Sequence, residues 1–158
     1  DQTTYLGGAG VVAKHLKEAG AKVVFTTIVG KDKYAKFVKN ELKKNKITSN
    51  LIEDKTRPTT IKKVILNKSH RLLKLDTVDN SPINDEILIK ISNIIKKTKT
   101  DIVIFSDFRH GIFSRKTIPN LKKSIPKKTF TVADTQVASR WGNILEFKNF
   151  DLITPNEK

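Results

Sequence analysis

The sequence predicts an α/β fold of mainly parallel strands with a small antiparallel sheet inserted into it. Three observations carry this. A helix, an apolar strand and a second helix follow one another between Gly7 and Lys44. Short alternating stretches bounded by turn residues occupy Ile47 to Asp76, and after Ser81-Pro82 the helix–strand alternation returns. Strands separated by helices are joined by crossovers and lie parallel, whereas a short polar turn joins antiparallel neighbours.

Gly7-Gly8-Ala9-Gly10 opens the first helix, expected over Val11 to Ala19 because Val11, Val12, Ala13, Leu16 and Ala19 share a face and Gly20 stops the run. Lys22 to Val29 is a largely apolar run suited to a buried strand, ended by Gly30 and followed by Lys31-Asp32. A second helix is expected over Tyr34 to Lys44, with Phe37, Val38, Glu41 and Leu42 one turn apart. In the insertion, about residues 47–76, the strand-like stretches are Leu51-Ile52, Thr59 to Leu66 and Arg71 to Leu75. Asn67-Lys68-Ser69-His70 makes the hairpin turn between the last two. An inserted sheet of this kind covers something as a rule, since its edges need partners.

Asn84-Asp85-Glu86 then starts a helix carrying Ile87, Leu88, Ile91, Ile94 and Ile95. Asp101 to Phe105 reads as a strand and Ser106 to Gly111 as the polar loop at its carboxyl end. Ser114 is placed to cap a helix running through Leu121. Thr129 to Ala133 is the next strand, ending in Asp134-Thr135-Gln136. Phe150 to Ile153 is a last short strand, ending in Thr154-Pro155-Asn156-Glu157.

Composition narrows the function classes. At 158 residues, 37% hydrophobic and 30% charged in a mixed pattern, the chain can bury a core and is not a disordered tail. No apolar run reaches the about 20 residues of a membrane helix, and no signal peptide opens the chain. Cysteine is absent, which excludes disulfides and thiolate metal sites and fits a cytoplasmic location. Methionine is absent even at position 1, and the last residues follow directly on a strand. The chain therefore reads as a piece of a longer protein. The net charge of +15 suggests polyanions. Only five of the 31 basic residues are arginine (Arg57, Arg71, Arg109, Arg115 and Arg140), and aromatic residues do not interleave with the lysines. A lysine-coated helical surface is the preferred reading, and a basic nucleic-acid-binding domain is disfavoured.

Ligands of open α/β sheets bind beyond the carboxyl ends of the strands. Three polar clusters fall there: Asp107-Phe108-Arg109-His110, Asp134-Thr135-Gln136 and Asn156-Glu157. Acids, an amide and an arginine at neighbouring strand ends suit an anionic or hydroxylated ligand together with a metal, although any one of them could simply cap a helix. The glycines before the first helix let backbone approach a ligand closely or serve helix–sheet packing. Neither GxxxxGK[ST] nor GxGxxG is present, and no histidine pair has metal-ligand spacing, so a zinc site is disfavoured.

In order along the chain, Gly7-Gly8-Ala9-Gly10, Val29-Gly30-Lys31-Asp32, Thr56-Arg57-Pro58-Thr59-Thr60-Ile61-Lys62, Arg71 to Asp76, Ser106-Asp107 with Gly111, and Leu152 to Glu157 resemble the ribokinase-like carbohydrate kinases of the phosphofructokinase B type. The likeness is greatest to the heptose-phosphate kinase branch. It implies a three-layer α/β/α fold with the inserted sheet as a lid over the sugar site and a contact for a homodimer. It implies a sugar or sugar-phosphate substrate met by Gly7, Gly8, Arg57, Thr59, Lys62, Asp107 and Arg109. It further implies ATP and Mg2+, with Asp134, Asn156 and Glu157 on the nucleotide side.

The resemblance places the family's first strand before Asp1. It places the Gly-Ala-Gly-Asp base and the adenine site after Lys158. The 158-residue chain, roughly the first half of such a domain, is therefore expected to lack kinase activity. A nucleotidyltransferase domain or partner is implied by the same branch. The chain departs from the branch at Val11, where an asparagine is usual, at Phe108-Arg109-His110 for Tyr-x-Lys, and at Thr135-Gln136 for Pro-Lys. A non-catalytic sugar-binding or regulatory module of the same fold is the alternative.

Overall fold

The computed structural model describes residues 1–68, 70–135 and 144–155. The chain divides into two compact units, Asp1–Asp79 and Asn80–Lys158.

In the first unit α1 (Ala9–Glu18) precedes β1 (Val24–Val29), α2 (Lys33–Lys44) and β2 (Thr48–Glu53). β1 and β2 are parallel, in register from Val24 opposite Thr48 to Val29 opposite Glu53, and α2 is the crossover between them. The helix starts where Asp32 Oδ1 accepts hydrogen bonds from Tyr34 N and Ala35 N, both at 2.9 Å, which satisfies two first-turn donors. It ends at Asn45, and Lys46 takes a left-handed φ of 54° before Ile47 enters the core. That core joins Ala13, Leu42 and Ile47, with Leu6, Val23, Phe25, Val38 and Leu51 packed around them. Burying one such leucine contributes about 2 kcal/mol.

The same unit carries an antiparallel hairpin of β3 (Ile61–Asn67) and β4 (His70–Thr77). Its register sorts the side chains into two faces. Ile61, Ile65, Leu73, Leu75 and Thr77 share one face with Lys63, while Lys62, Val64, Lys74 and Asp76 share the other. Both faces are exposed; Leu73 and Leu75 stay 46% and 49% accessible. One expectation is corrected here. Leu51-Ile52 belongs not to the inserted sheet but to β2, parallel to β1, and the antiparallel pair begins only at Ile61. Short apolar alternation marks a strand without telling which neighbour it will take.

In the second unit β5 (Ile102–Asp107), β6 (Phe130–Thr135) and β7 (Leu152–Pro155) form a parallel sheet in that order. α3 (Asp85–Lys97) and α4 (Thr117–Lys123) pack against each other, and a short 3-10 turn spans Ile144–Glu146. Asn84 starts α3 by accepting Ile87 N through Oδ1 at 2.9 Å, and Asp85 and Glu86 complement the helix dipole. Phe105 and Ala133 lie buried on one sheet face, and Ile83, Ile87, Leu88, Ile91, Ile118, Leu121 and Phe147 are the other large buried apolar side chains among the unit's described residues. Phe105 stacks on Phe113 at 4.9 Å and meets Phe150 edge-on at 5.2 Å. On the opposite face Ile102, Phe130 and Leu152 remain about half exposed.

The fold is the expected α/β class, with differences at element ends. β5 and β6 run two residues past the expected limits, because the parallel pairing continues through Ser106–Asp134 and Asp107–Thr135. Asp107 and Asp134 are therefore strand residues rather than loop residues. The fourth helix begins at Thr117, although Ser114 makes the anticipated contact: its Oγ accepts Thr117 N at 3.2 Å while Thr117 Oγ1 accepts Ser114 N at 2.8 Å. β7 begins at Leu152 because Asp151 is engaged sideways, its Oδ2 accepting Thr131 N and Thr131 Oγ1 at 2.7 Å each. No described helix is long and apolar enough to cross a membrane.

Candidate functional site

The carboxyl end of β1 is closed by a network of its own. Gly30 N donates to Thr59 Oγ1 at 3.0 Å, and Thr59 N donates to Asp32 Oδ2 at 2.8 Å. The strap from Arg57 to Thr59 passes so near that a Cβ on Gly30 would lie 2.6 Å from Arg57 O and from Thr59 N. Only glycine allows that approach. Beside it Asp54 Oδ1 accepts Thr56 N at 2.9 Å and Thr56 Oγ1 at 2.6 Å, while Oδ2 accepts Arg57 Nε at 2.7 Å. The side chains of this ion pair are 7% and 4% exposed.

Partial burial pushes the Asp32 carboxyl up, but the donors from Thr59, Ala35 and Tyr34 outweigh it and hold it below its ordinary value. Asp54 behaves alike: burial raises it, and Thr56 together with the Arg57 guanidinium lowers it further.

Two of the expected sugar contacts, Arg57 and Thr59, thus stand inside this network. Lys62 lies just beyond it on the charged face of the hairpin, directly across from Asp76. Gly7 and Gly8 are exposed at the start of α1. Gly8 adopts φ 51°, ψ −132°, a conformation open to glycine, and no side chain caps the helix there.

Asp107, Arg109 and Asp134 gather at the carboxyl end of the second unit's sheet. Asp107 is 2% exposed and its Oδ1 accepts Arg109 N at 2.7 Å. That bond holds Arg109 at φ 63°, in the left-handed region. The loop continues through His110, whose Nδ1 is 3.2 Å from Asn80 Oδ1, to Gly111, whose carbonyl accepts Ile83 N at 3.0 Å. On the other face Asp134 Oδ1 accepts Thr154 Oγ1 at 3.2 Å. Ser106 Oγ beside Asp134, Thr135 Oγ1 across from Asp107, and Arg109 Nη1 are buried without a hydrogen-bond partner among the described residues.

Asn156 and Glu157 lie outside the described residues. Among the described residues no group of three or more His, Asp or Glu could hold a metal by itself. Asp134 offers a hard oxygen donor, and magnesium commonly takes one or two carboxylates with the rest of its shell from phosphate and water, so the residues present fit that ion.

Sequence reasoning missed Gly30 and Asp54 as organisers, and Thr135 as an unpaired donor. The Asp54-x-Thr56 spacing, a local turn in which a carboxylate takes an amide two residues on, was a readable signal. The sequence put Thr135 in a strand-end polar cluster but carried no sign of its burial, which comes from neighbouring strands.

Comparison with known proteins agrees with this architecture. The family described as pfkB family carbohydrate kinase matches residues 1–158. The bifunctional protein HldE of Rhodopseudomonas palustris is 29% identical over 160 residues, covering 98% of this chain and 32% of that protein. HldE of Helicobacter pylori is 30% identical over 159 residues, covering 96% and 33%. The chain thus spans about a third of the length of these relatives. Among solved structures, phosphofructokinase-2 from Escherichia coli superposes with a TM-score of 0.69 at 12% identity, covering 94% of this chain and 49% of that one. Ribokinase from Giardia lamblia gives 0.59 at 14% identity, with 85% and 41% covered. These likenesses show a ribokinase-like fold.

Proposed function

The chain belongs to the pfkB family of carbohydrate kinases, and from that premise we propose that it is the sugar-binding part of an ATP-dependent kinase. The acceptor is a sugar or sugar phosphate, a heptose phosphate first among them. The observation that carries the reading is the family match along all of residues 1–158, joined by the HldE relatives over 98% of the chain. In the reaction the acceptor hydroxyl oxygen attacks the γ-phosphorus of ATP, the bond to the ADP oxygen breaks, and the hydroxyl proton passes to a base. Such transfer depends on positioning and on neutralising charge.

Gly7 and Gly8 approach the sugar hydroxyls, and Arg57, Thr59, Lys62, Asp107 and Arg109 line the acceptor side. Asp134, with Asn156 and Glu157, faces the nucleotide and its Mg2+, which when bound spreads the charge of the phosphates. The base comes from sequence after Lys158. The apolar hairpin face, with Leu73 and Leu75, meets the same face of a second copy. A nucleotidyltransferase domain accompanies the kinase, and the protein works in the cytoplasm.

The test is ATP-dependent phosphorylation of heptose 7-phosphate by the 158-residue chain and by a version extended through the Gly-Ala-Gly-Asp segment. Turnover is expected only from the extended protein. Turnover by the 158 residues alone would overturn the placement of the base, and an inactive extended protein that still folds would overturn the kinase reading.

A further inference from the structure

Where helices alternate with parallel strands, the helix ends and the strand starts that follow them come together at one edge of the sheet. In the second unit that edge is the amino end of β5, β6 and β7, opposite the end that carries Asp107 and Asp134. The segments leading into the strands are tied together there. Phe130 N donates to Asp101 O at 2.9 Å, and Asp151 N donates to Thr131 O at 3.0 Å.

These segments are rich in lysine. Lys96, Lys97 and Lys99 lead into β5, and Lys123, Lys127 and Lys128 lead into β6. Lys148 precedes β7. Each of these side chains is exposed, and among the described residues none makes an ion pair. The only acids in residues 96–101, 123–129 and 148–151 are Asp101 and Asp151, and Asp151 is engaged by Thr131. At the start of α4, by contrast, Arg115 and Lys116 are paired with Glu146 and Asp85 at 2.8 and 2.6 Å.

Lysines in a last helical turn offset the helix dipole, which accounts for Lys96, Lys97 and Lys123. It does not account for Lys99, Lys127, Lys128 and Lys148, which stand outside the helices. At the same edge the first residues of the three strands, Ile102, Phe130 and Leu152, are about half exposed. Flexible point charges beside exposed apolar side chains match the interface of an anionic bilayer, where lysines meet the headgroups and apolar groups enter the acyl boundary. Nucleic acid is the poorer match, because these segments hold no arginine fork and Ile102 and Leu152 offer no stacking face.

We propose that the amino end of this sheet is a docking surface for an anionic lipid bilayer, held peripherally by the lysines of the three segments. The carboxyl ends of the same strands then point away from the membrane. The surface does not depend on the kinase reading.

Co-sedimentation with lipid vesicles at physiological ionic strength tests it, using the 158-residue chain and the version extended through the Gly-Ala-Gly-Asp segment. Both should bind vesicles made of phosphatidylglycerol and phosphatidylcholine in equal parts, and neither should bind phosphatidylcholine alone. The triple variants Lys96→Gln/Lys97→Gln/Lys99→Gln and Lys123→Gln/Lys127→Gln/Lys128→Gln should each weaken binding roughly a hundredfold, as removal of three charges from a membrane contact does. Lys31→Gln/Lys33→Gln/Lys36→Gln, around the start of α2, removes the same charge and should leave binding nearly unchanged.

Equal weakening by the α2 variant would overturn the proposal, because it would reduce the effect to net charge. Binding by the 158-residue chain but not by the extended protein would overturn it too, since the surface would then be one that the longer protein covers. Tighter binding to single-stranded RNA than to the anionic vesicles would overturn it in favour of a nucleic-acid surface.

Discussion

The carboxyl ends of β1 and β5 carry polar clusters of similar composition in opposite condition. At β1, Asp32, Asp54, Arg57 and Thr59 hydrogen-bond among themselves and to Gly30. At β5, Asp107 fixes a strained turn while Arg109 Nη1 and Thr135 Oγ1 are left unmatched among the described residues. The first arrangement spends its hydrogen bonds on shape, holding the strap that leads into the hairpin against the strand end. The second keeps donors in reserve at a place where ligands of parallel sheets bind. A carboxylate next to an arginine at a strand end is therefore no site by itself; what distinguishes the two is whether the donors are already used.

Four measurements would break or sharpen that contrast, and the largest effect belongs to the closed end. Asp54→Ala removes the carboxylate partner of a nearly buried guanidinium. It should lower unfolding free energy by about 3 kcal/mol, measured by urea denaturation. Loss of less than a third of that would mean the ion pair is not what locks the strap.

Gly30→Ala comes next, since the new methyl group would press on Arg57 O and Thr59 N. A loss of about 2 kcal/mol is expected from such overpacking.

The acid limb of stability is a third, smaller effect. Asp32 and Asp54 are both held below their ordinary value of 3.8 in the fold. The unfolded chain therefore takes up their protons first as pH falls. Their contribution is full above the unfolded value and is lost as pH drops through the lower folded values. The urea midpoint should fall between pH 5 and pH 3, and less steeply in Asp32→Asn.

The smallest change in stability belongs to the open end. Arg109→Gly should leave unfolding free energy within about 0.5 kcal/mol of the parent, or raise it, because glycine relieves the left-handed turn. A loss as large as that of Asp54→Ala would erase the difference between the two ends.

Much of the fold was legible because its signals are local. Helix spacing, the glycine stops, the helix start at Asn84 and the hairpin turn all act over a few residues. The ordered motifs from Gly7 to Glu157 carried the family. Leu51-Ile52 was assigned to the wrong sheet because a strand's own pattern does not name its neighbour. Asp107 and Asp134 were expected in loops because polar residues mark strand ends in a sequence. In the structure the ladder continues to Thr135 through pairing with the adjacent strand.

The sequence by itself determined the order of elements, the α/β class and the family likeness, since each rests on periodicity or on contiguous motifs. Tertiary structure alone decided which of the strand-end polar groups are spent and which are waiting. Thr59 reaches Gly30 across 29 residues of chain and Asp32 across 27. The burial of Thr135 beside Asp107 depends on two strands meeting in register. A hydrogen bond is either made or missing at about 3 Å, and a separation that small between distant residues exists only once the chain has folded.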